Sequence, residues 1–177
     1  LNDVCVRVVD EPDRAQPRGK QYWERGLMGC WYTPVSGIWQ TVYLEATGEN
    51  SLEGILVTPD LERGAARVDI LLEHAPLRNL TVCLTLKLEG AVVQEASYTT
   101  TEKRSSLTLD MRVAGVDTLR LWSPGHPTLY ELQARLLQDG QETDSVRTWF
   151  GMRSVRVVNG QVLLNNQPVY QRLILDQ

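Results

Sequence analysis

The sequence is poor in the residue types that cross-link small domains or bind metals. Its three cysteines, Cys5, Cys30 and Cys83, are an odd number at wide spacing. That count argues against a disulfide framework and favours a reducing compartment such as the cytoplasm. The two histidines, His74 and His126, lie far apart without a neighbouring cluster of cysteines or carboxylates, so no metal site is predicted. No motif indicates a cofactor.

Long apolar runs and excess positive charge are also missing. No run approaches the ~20 apolar residues that span a bilayer, so we predict no membrane association. The formal net charge of −4 argues against a nucleic-acid partner. The opening "LNDVCVRVVD" has no initiator Met and no features of a leader, and it begins as if in mid-strand. From this opening we expect the chain to be cut from something longer.

What the sequence does have is alternation of apolar and polar residues. "LTVCLTLKLEG" places five apolar side chains on one face at period two, which predicts a strand. Glu89–Gly90 and Asp139–Gly140 are predicted hairpin turns. Further strands are predicted at residues 52–58, 66–73, 91–98, 106–111, 118–122, 129–137 and 144–151.

The stretch 129–137 fits two periods. Leu129, Leu132 and Leu136 have near-helical spacing, whereas Tyr130, Leu132, Ala134 and Leu136 have the period of a strand. The neighbouring strands and the Asp-Gly turn favour the strand. Seven or eight strands within about 100 residues predict an all-β fold, an antiparallel immunoglobulin-like (Ig-like) β-sandwich.

Two flanks lie outside this sandwich. Residues 1–46 contain a predicted strand at 3–10, a loop rich in Pro, Gly and charge, and a predicted strand from Ile38 onward. Residues 152–177 contain two turn signals, Asn159–Gly160 and Asn165–Asn166, before a nearly all-apolar final strand. Neither flank has enough residues for a core of its own.

Four motifs in this order and spacing resemble glycoside hydrolase family 2, which includes β-galactosidases, β-glucuronidases and β-mannosidases. They are "VSGIWQTVYLE", "LWSPGHPTLYEL", "WFGMRSV" and "LLNNQPVYQRLILDQ". The resemblance implies that residues 1–46 are the last strands of a sugar-binding jelly roll. It implies an Ig-like domain at 47–151, and at 152–177 a hairpin and first strand leading into an absent (β/α)8 barrel.

The same resemblance implies where catalysis occurs. The family's acid/base and nucleophile are glutamates on later barrel strands, so no catalytic residue is assigned in this chain. A retaining glycosidase needs two carboxyl groups about 5–5.5 Å apart. By this resemblance, the parent protein is expected to be a retaining, β-galactosidase-like hydrolase. Because no catalytic residue is assigned in this chain, the chain alone is expected to be inactive. Leu173 and Ile174 stand where the family usually has Gly-Val.

Aromatic residues are dense between residues 22 and 39. They form either a sugar-stacking platform or an anchor that packs a long loop. By resemblance, Trp31 and Tyr32 are the candidate sugar contacts, because the loop before the Gly-Ile-Trp motif approaches the barrel cleft. Trp39 and Tyr43 are predicted to pack. Asp176, at the C-terminal end of the first barrel strand, is a third candidate sugar contact.

Three further residues have predicted structural roles. Ser123 and His126 lie in a tight Pro-rich loop without a nucleophile-elbow signature, so we predict a turn. Gly151 is expected to permit the bend out of the sandwich.

Three functions remain open. The chain is a non-catalytic part of a family 2 hydrolase, with carbohydrate as partner of the full-length protein. Alternatively it is a free-standing Ig-like carbohydrate-binding or adhesion module, or a structural spacer. A free module would not end in a strand of the buried type, which favours the first hypothesis. Strand edges left unpaired in the flanks predict either disorder of residues near 11–30 or association of two chains through those edges.

Overall fold

The regular structure of the chain consists of β-strands that follow the alternating patterns of its sequence. The computed structural model describes residues 3–24, 29–112 and 119–175. Contacts divide the chain into unit 1, Leu1–Glu45 with Gln171–Gln177, and unit 2, Ala46–Tyr170. Within the described ranges there is no helix long and apolar enough to cross a membrane.

Unit 2 holds the strands, which pair antiparallel in every sheet. One sheet has the order β1-β2-β5, a second β4-β3-β8-β9, a third β10-β11-β12, and β6 pairs with β7. The strands are β1 (Leu52–Asp60), β2 (Ala65–Leu72), β3 (Leu80–Leu88), β4 (Ala91–Thr100), β5 (Arg104–Asp110), β6 (Trp122–Ser123), β7 (His126–Pro127), β8 (Tyr130–Gln138), β9 (Gln141–Phe150), β10 (Val155–Val158), β11 (Gln161–Leu164) and β12 (Gln167–Pro168).

The core lies between the first two sheets. Alternate residues of β2, β3 and β8 point into it and are almost fully buried, and β5 adds Leu109. Each fully buried aliphatic side chain contributes about 1.5–3 kcal/mol of hydrophobic stabilisation. Two sheets closing on one shared core confirm the predicted Ig-like sandwich. The buried residues of the three strands are Ala66, Val68, Ile70, Leu72, Leu80, Val82, Leu84, Leu86, Tyr130, Leu132, Ala134 and Leu136.

Tyr130 has the place of the tyrosine corner found in many Ig-like domains. It begins β8, and its ring stacks on Phe150 at a centroid distance of 5.6 Å. Its hydroxyl accepts a hydrogen bond from the backbone N–H of Arg120 at 3.2 Å. Burial raises the pKa of this phenol. The hydroxyl thus satisfies a backbone donor at the edge of the core.

Four predicted turns are confirmed. In each, both loop residues have positive φ, which is the geometry of a type I′ hairpin. Their φ values run from 50° at Asn159 to 83° at Gly90. The turns are Glu89–Gly90, Asp139–Gly140, Asn159–Gly160 and Asn165–Asn166.

The ambiguous stretch at 129–137 is a strand. β8 pairs with β3 on one side and with β9 on the other, and its even positions are buried. The helical propensity of these residues is overridden, because β8 is hydrogen-bonded to a strand on each side and buries one face of its side chains in the core. The strand predicted at 118–122 is shorter than expected, since β6 begins only at Trp122. Residue 118 lies outside the described residues.

The strands predicted in unit 1 do not form in its described part. Residues 3–10, 38–45 and 171–175 make no ladder, and their side chains are exposed. Trp39 and Tyr43 are 87% and 72% exposed, so the prediction that they pack is wrong for this chain. Leu173 and Ile174 are 79% and 93% exposed. An alternating apolar–polar sequence does not form a strand by itself. It also needs a neighbouring strand for hydrogen bonds and a surface that covers its apolar face.

Candidate functional site

Backbone hydrogen bonds in unit 1 hold together the two segments that carry the candidate sugar contacts. Tyr22 N–H donates to the Tyr32 carbonyl, and Tyr32 N–H donates to the Lys20 carbonyl, both at 2.8 Å. The Val35 N–H donates to the Gln21 side-chain carbonyl at 2.8 Å. These bonds close the segment between Tyr22 and Tyr32 at its base.

An aromatic cluster lies beside this bridge, formed by Tyr22, Trp23 and Trp31. Trp23 is central: its ring centroid is 4.8 Å from Tyr22 and 5.0 Å from Trp31, the latter edge-on at 76°. The Arg14 guanidinium lies over the Trp23 ring, 4.1 Å from its centroid. Each aromatic pair contributes about 0.5–1.5 kcal/mol beyond its buried area. The three rings therefore pack against one another within unit 1.

Tyr22 is the buried member of the cluster, at 7% exposure. Burial, followed by the neighbouring Glu24 carboxylate, raises the pKa of its phenol. Its hydroxyl donates to Glu24 Oε2 at 3.4 Å. At neutral pH the ring is therefore an uncharged packing element.

The two described sugar-contact candidates differ in accessibility. Trp31 is half-buried with one edge against Trp23, whereas Tyr32 is 50% exposed. An exposed aromatic face can stack on the C–H face of a pyranose, so Tyr32 has the more accessible ring. Asp176, the third candidate, lies outside the described residues.

An ion pair near the cluster, between Arg18 and Asp10, was not predicted from the sequence. Arg18 Nη1 lies 3.2 Å from Asp10 Oδ1 and also donates to the Glu11 carbonyl. The Ser36 hydroxyl donates to the other oxygen of Asp10. No periodic pattern marks an ion pair inside an irregular loop. Only the run of Pro, Gly and charge in this segment could have drawn attention to it.

Unit 2 carries a groove of about 430 Å³, bordered by Val57, Leu129 and Trp149 and also by Arg153. The Arg153 guanidinium lies over the Trp122 ring, 4.6 Å from its centroid. Gly151 is packed closely against Trp122: a Cβ added at residue 151 would lie 2.8 Å from Trp122 Cβ. The φ of Gly151 is not positive, so the structure gives this glycine a steric role, and the bend out of the sandwich stays a prediction.

The Ser123–His126 segment is a turn, as predicted. The His126 N–H donates to Ser123 Oγ at 3.2 Å, so the hydroxyl closes the loop. In the part of the chain that the structure describes, no group of three or more His, Cys, Asp or Glu side chains could hold a metal ion.

Comparison with known proteins gives a family. The sequence profile of Glycosyl hydrolases family 2 matches residues 50–153, which contain both sheets of the sandwich. No curated protein matches the chain by sequence. The chain belongs to glycosyl hydrolases family 2.

Solved structures with the same fold are much longer. A β-glycosidase from Bacteroides vulgatus is 25% identical with a TM-score of 0.62, and the match covers 78% of this chain and 18% of that one. A β-glucuronidase from Ruminococcus gnavus in complex with D-glucaro-d-lactam is 25% identical with a TM-score of 0.51, over 69% and 19%.

A putative β-galactosidase from Bacteroides fragilis shares the fold at 23% identity and a TM-score of 0.56, over 70% of this chain and 20% of that one. The chain therefore spans about a fifth of the length of these solved relatives.

Proposed function

We propose that this chain is the non-catalytic part of a longer retaining hydrolase that cleaves terminal β-glycosides. The observation that carries the proposal is the family match over residues 50–153, the same residues that build the sandwich. The match covers only 18% and 19% of the lengths of two solved relatives, and this supports a catalytic domain elsewhere in the protein.

In this proposal residues 1–46 close a jelly roll, residues 47–151 form the Ig-like domain, and residues 152–177 lead into a (β/α)8 barrel. The sandwich positions the barrel. The rigidity that this role needs is supported by the continuous core between the two sheets. The two catalytic carboxylates, about 5–5.5 Å apart in a retaining enzyme, belong to the barrel.

Trp31, Tyr32 and Asp176 are proposed sugar contacts of the complete site. The exposure of the Tyr32 ring and its fixed backbone support a stacking role for that residue. Asp176 is proposed to accept a hydrogen bond from a sugar hydroxyl. A galactoside is the proposed substrate, and the similar structures include a putative β-galactosidase and a β-glucuronidase.

The experiment is hydrolysis of aryl β-D-galactoside, β-D-glucuronide and β-D-mannoside by the full-length protein that contains this chain. We expect the galactoside to be cleaved fastest, with the first-formed sugar in the β configuration by NMR. Cleavage of none of the three contradicts the hydrolase proposal, and an α product contradicts retention.

The sugar contacts are tested in the same protein. Tyr32→Ala and Asp176→Asn should each lower kcat/KM about threefold to tenfold, because each removes one contact to the sugar. Trp31→Phe keeps a ring against Trp23 and should have a smaller effect. Leu77→Ala, at a side chain of the sandwich unit that is 91% exposed, is the control. Equal effects of the control and Tyr32→Ala contradict the assignment.

A further inference from the structure

The groove of about 430 Å³ in unit 2, here called the β1–β9 groove, is bordered by the edge strands of two different sheets. Its lining includes Val57 and Pro59 of β1, and Trp149 and Phe150 of β9. In the part of the chain that the structure describes, β1 pairs with β2 alone and β9 pairs with β8 alone. Each of the two strands therefore has one edge whose backbone groups are not paired with a strand.

The lining presents apolar surface that a ligand can reach. Trp149 is 71% exposed, and Leu129 is 45% exposed. Tryptophan is enriched at protein interfaces, because its ring gives a large contact area at a small cost in conformational entropy. We therefore expect an apolar group of a ligand to cover the Trp149 ring.

Arg153 is the only charged residue among the described lining residues, and its guanidinium is available to a ligand. It lies over the Trp122 ring, 4.6 Å from the ring centroid, and it forms no ion pair with another described residue. Stacking on an indole fixes the plane of a guanidinium, and the N–H groups at the rim of that plane match the two oxygens of a carboxylate.

The carboxylates that neighbour the groove along its strands already have cationic partners. Asp60, at the end of β1, lies 3.7 Å from Arg63 Nε. Glu131, opposite Trp149 in the β8–β9 register, lies 3.8 Å from Lys87 Nζ. The charge of the lining itself is positive, so the groove favours a ligand with a carboxylate over one with an amine or a neutral amide.

We infer that the β1–β9 groove is a docking site for an extended peptide segment that carries a carboxylate next to an apolar side chain. Arg153 binds the carboxylate, and Trp149 with Leu129 contacts the apolar side chain. The unpaired edge of β9 bonds the main chain of the segment, as in strand addition, where backbone hydrogen bonds give affinity and side-chain contacts give specificity.

The strand edge is the reason for choosing a peptide as the ligand. A sugar acid has a carboxylate for Arg153 and an apolar face for Trp149, but it has no main chain to pair with β9. The site does not depend on the proposed function, because it uses no catalytic residue. Failure of the full-length protein to hydrolyse a glycoside therefore leaves this inference unaffected.

The test is a titration of the ¹⁵N-labelled 177-residue chain with a peptide of sequence TLEVT, capped by acetyl and amide groups so that its one charge is the carboxylate. The chain has five tryptophans, and the indole N–H signal of Trp149 is identified by its absence in Trp149→Phe. We expect a saturable shift of this signal and slower hydrogen exchange of amides in β9. The capped TLQVT peptide, which lacks the charge, should bind about tenfold more weakly.

Two variants separate the carboxylate contact from the apolar contact. Arg153→Gln should bind the two peptides equally, about tenfold more weakly than the unmodified chain binds TLEVT. Trp149→Ala should weaken both peptides about threefold to tenfold and keep the preference for TLEVT, read from backbone amides around the groove. Arg104→Gln removes the same charge from β5, outside the lining, and should change neither affinity. If Arg153→Gln loses its dispersed spectrum, the two peptides on the unmodified chain carry the test.

Four outcomes overturn the inference. The first is no saturable shift of the Trp149 signal with TLEVT. The second is equal affinity of the unmodified chain for TLEVT and TLQVT, which removes the carboxylate contact. The third is binding of D-glucuronate as tight as that of TLEVT, which assigns the groove to small sugar acids. The fourth is a dimer in light scattering that TLEVT does not dissociate, which assigns the edge of β9 to a second copy of the chain.

Discussion

Replacing Gly151 by alanine adds a single methyl group at the end of β9, where the chain leaves the four-stranded sheet. The new Cβ would lie 2.8 Å from Trp122 Cβ, 2.9 Å from Cγ and 3.1 Å from Cδ1. Trp122 is not free to move away. Its backbone N–H donates to the Met152 carbonyl at 3.0 Å, and the Arg153 guanidinium covers its ring.

The magnitude follows from the position of the clash. The closest atom is a Cβ, one bond from a hydrogen-bonded backbone, so relief requires a backbone shift rather than a rotamer change. Overpacking of this kind costs about 1–3 kcal/mol. For a domain of the size of unit 2, about 4 °C of melting temperature corresponds to 1 kcal/mol. Gly151→Ala should therefore lower the melting temperature by about 4–12 °C.

The assay is thermal unfolding followed by circular dichroism, with Gly125→Ala as the matched control. A Cβ at Gly125 meets nothing within 4 Å, and the φ of that residue is not positive. Alanine there should be neutral or stabilise by about 0.4–1 kcal/mol through the unfolded state. Equal melting temperatures of the two variants would refute the claim that close packing against Trp122 requires glycine at 151.

Three other predictions concern the sandwich. Leu132→Ala, at a fully buried position, should lower the free energy of unfolding by about 2–5 kcal/mol in urea titrations, whereas Val157→Ala, 72% exposed, should change it by less than about 0.5 kcal/mol. Burial raises the pKa of Tyr98 and Tyr130 above 10.0, so their contribution to stability is present below pH 10 and is lost as the pH rises through the raised values. Tyr98→Phe and Tyr130→Phe should each reduce the alkaline fall of the urea midpoint, and an unchanged fall contradicts the sign. The edge strands β4 and β9 should pair between two chains, giving a dimer by light scattering, whereas a monomer at all concentrations contradicts edge pairing.

Local sequence patterns made the hairpin turns and the strands of the sandwich predictable. Asn159–Gly160 tolerates two consecutive positive φ angles, so the sequence of two residues determines both the turn and the register of β10 on β11. The burial of alternate residues in β3 and β8 likewise needs only the chain's own pattern. These elements were predicted because their partners are near in sequence or share the same core.

Other features depend on partners that a pattern does not reveal. The alternation from Ile38 onward is real, yet no described strand pairs with it, and its apolar side chains are exposed. Gly151 was given a conformational role, whereas the structure gives it a steric one that depends on Trp122, which is distant in sequence. The Arg18–Asp10 pair arises from an irregular loop, in which spacing carries no information.

We propose that this family 2 chain supports a reaction whose catalytic carboxylates lie elsewhere in the protein. The most direct measurement compares release of the aryl group from an aryl β-D-galactoside by the purified 177-residue chain and by the full-length protein, at equal concentration. We expect hydrolysis by the full-length protein and none by the chain above the uncatalysed rate. Hydrolysis by the chain alone would contradict it.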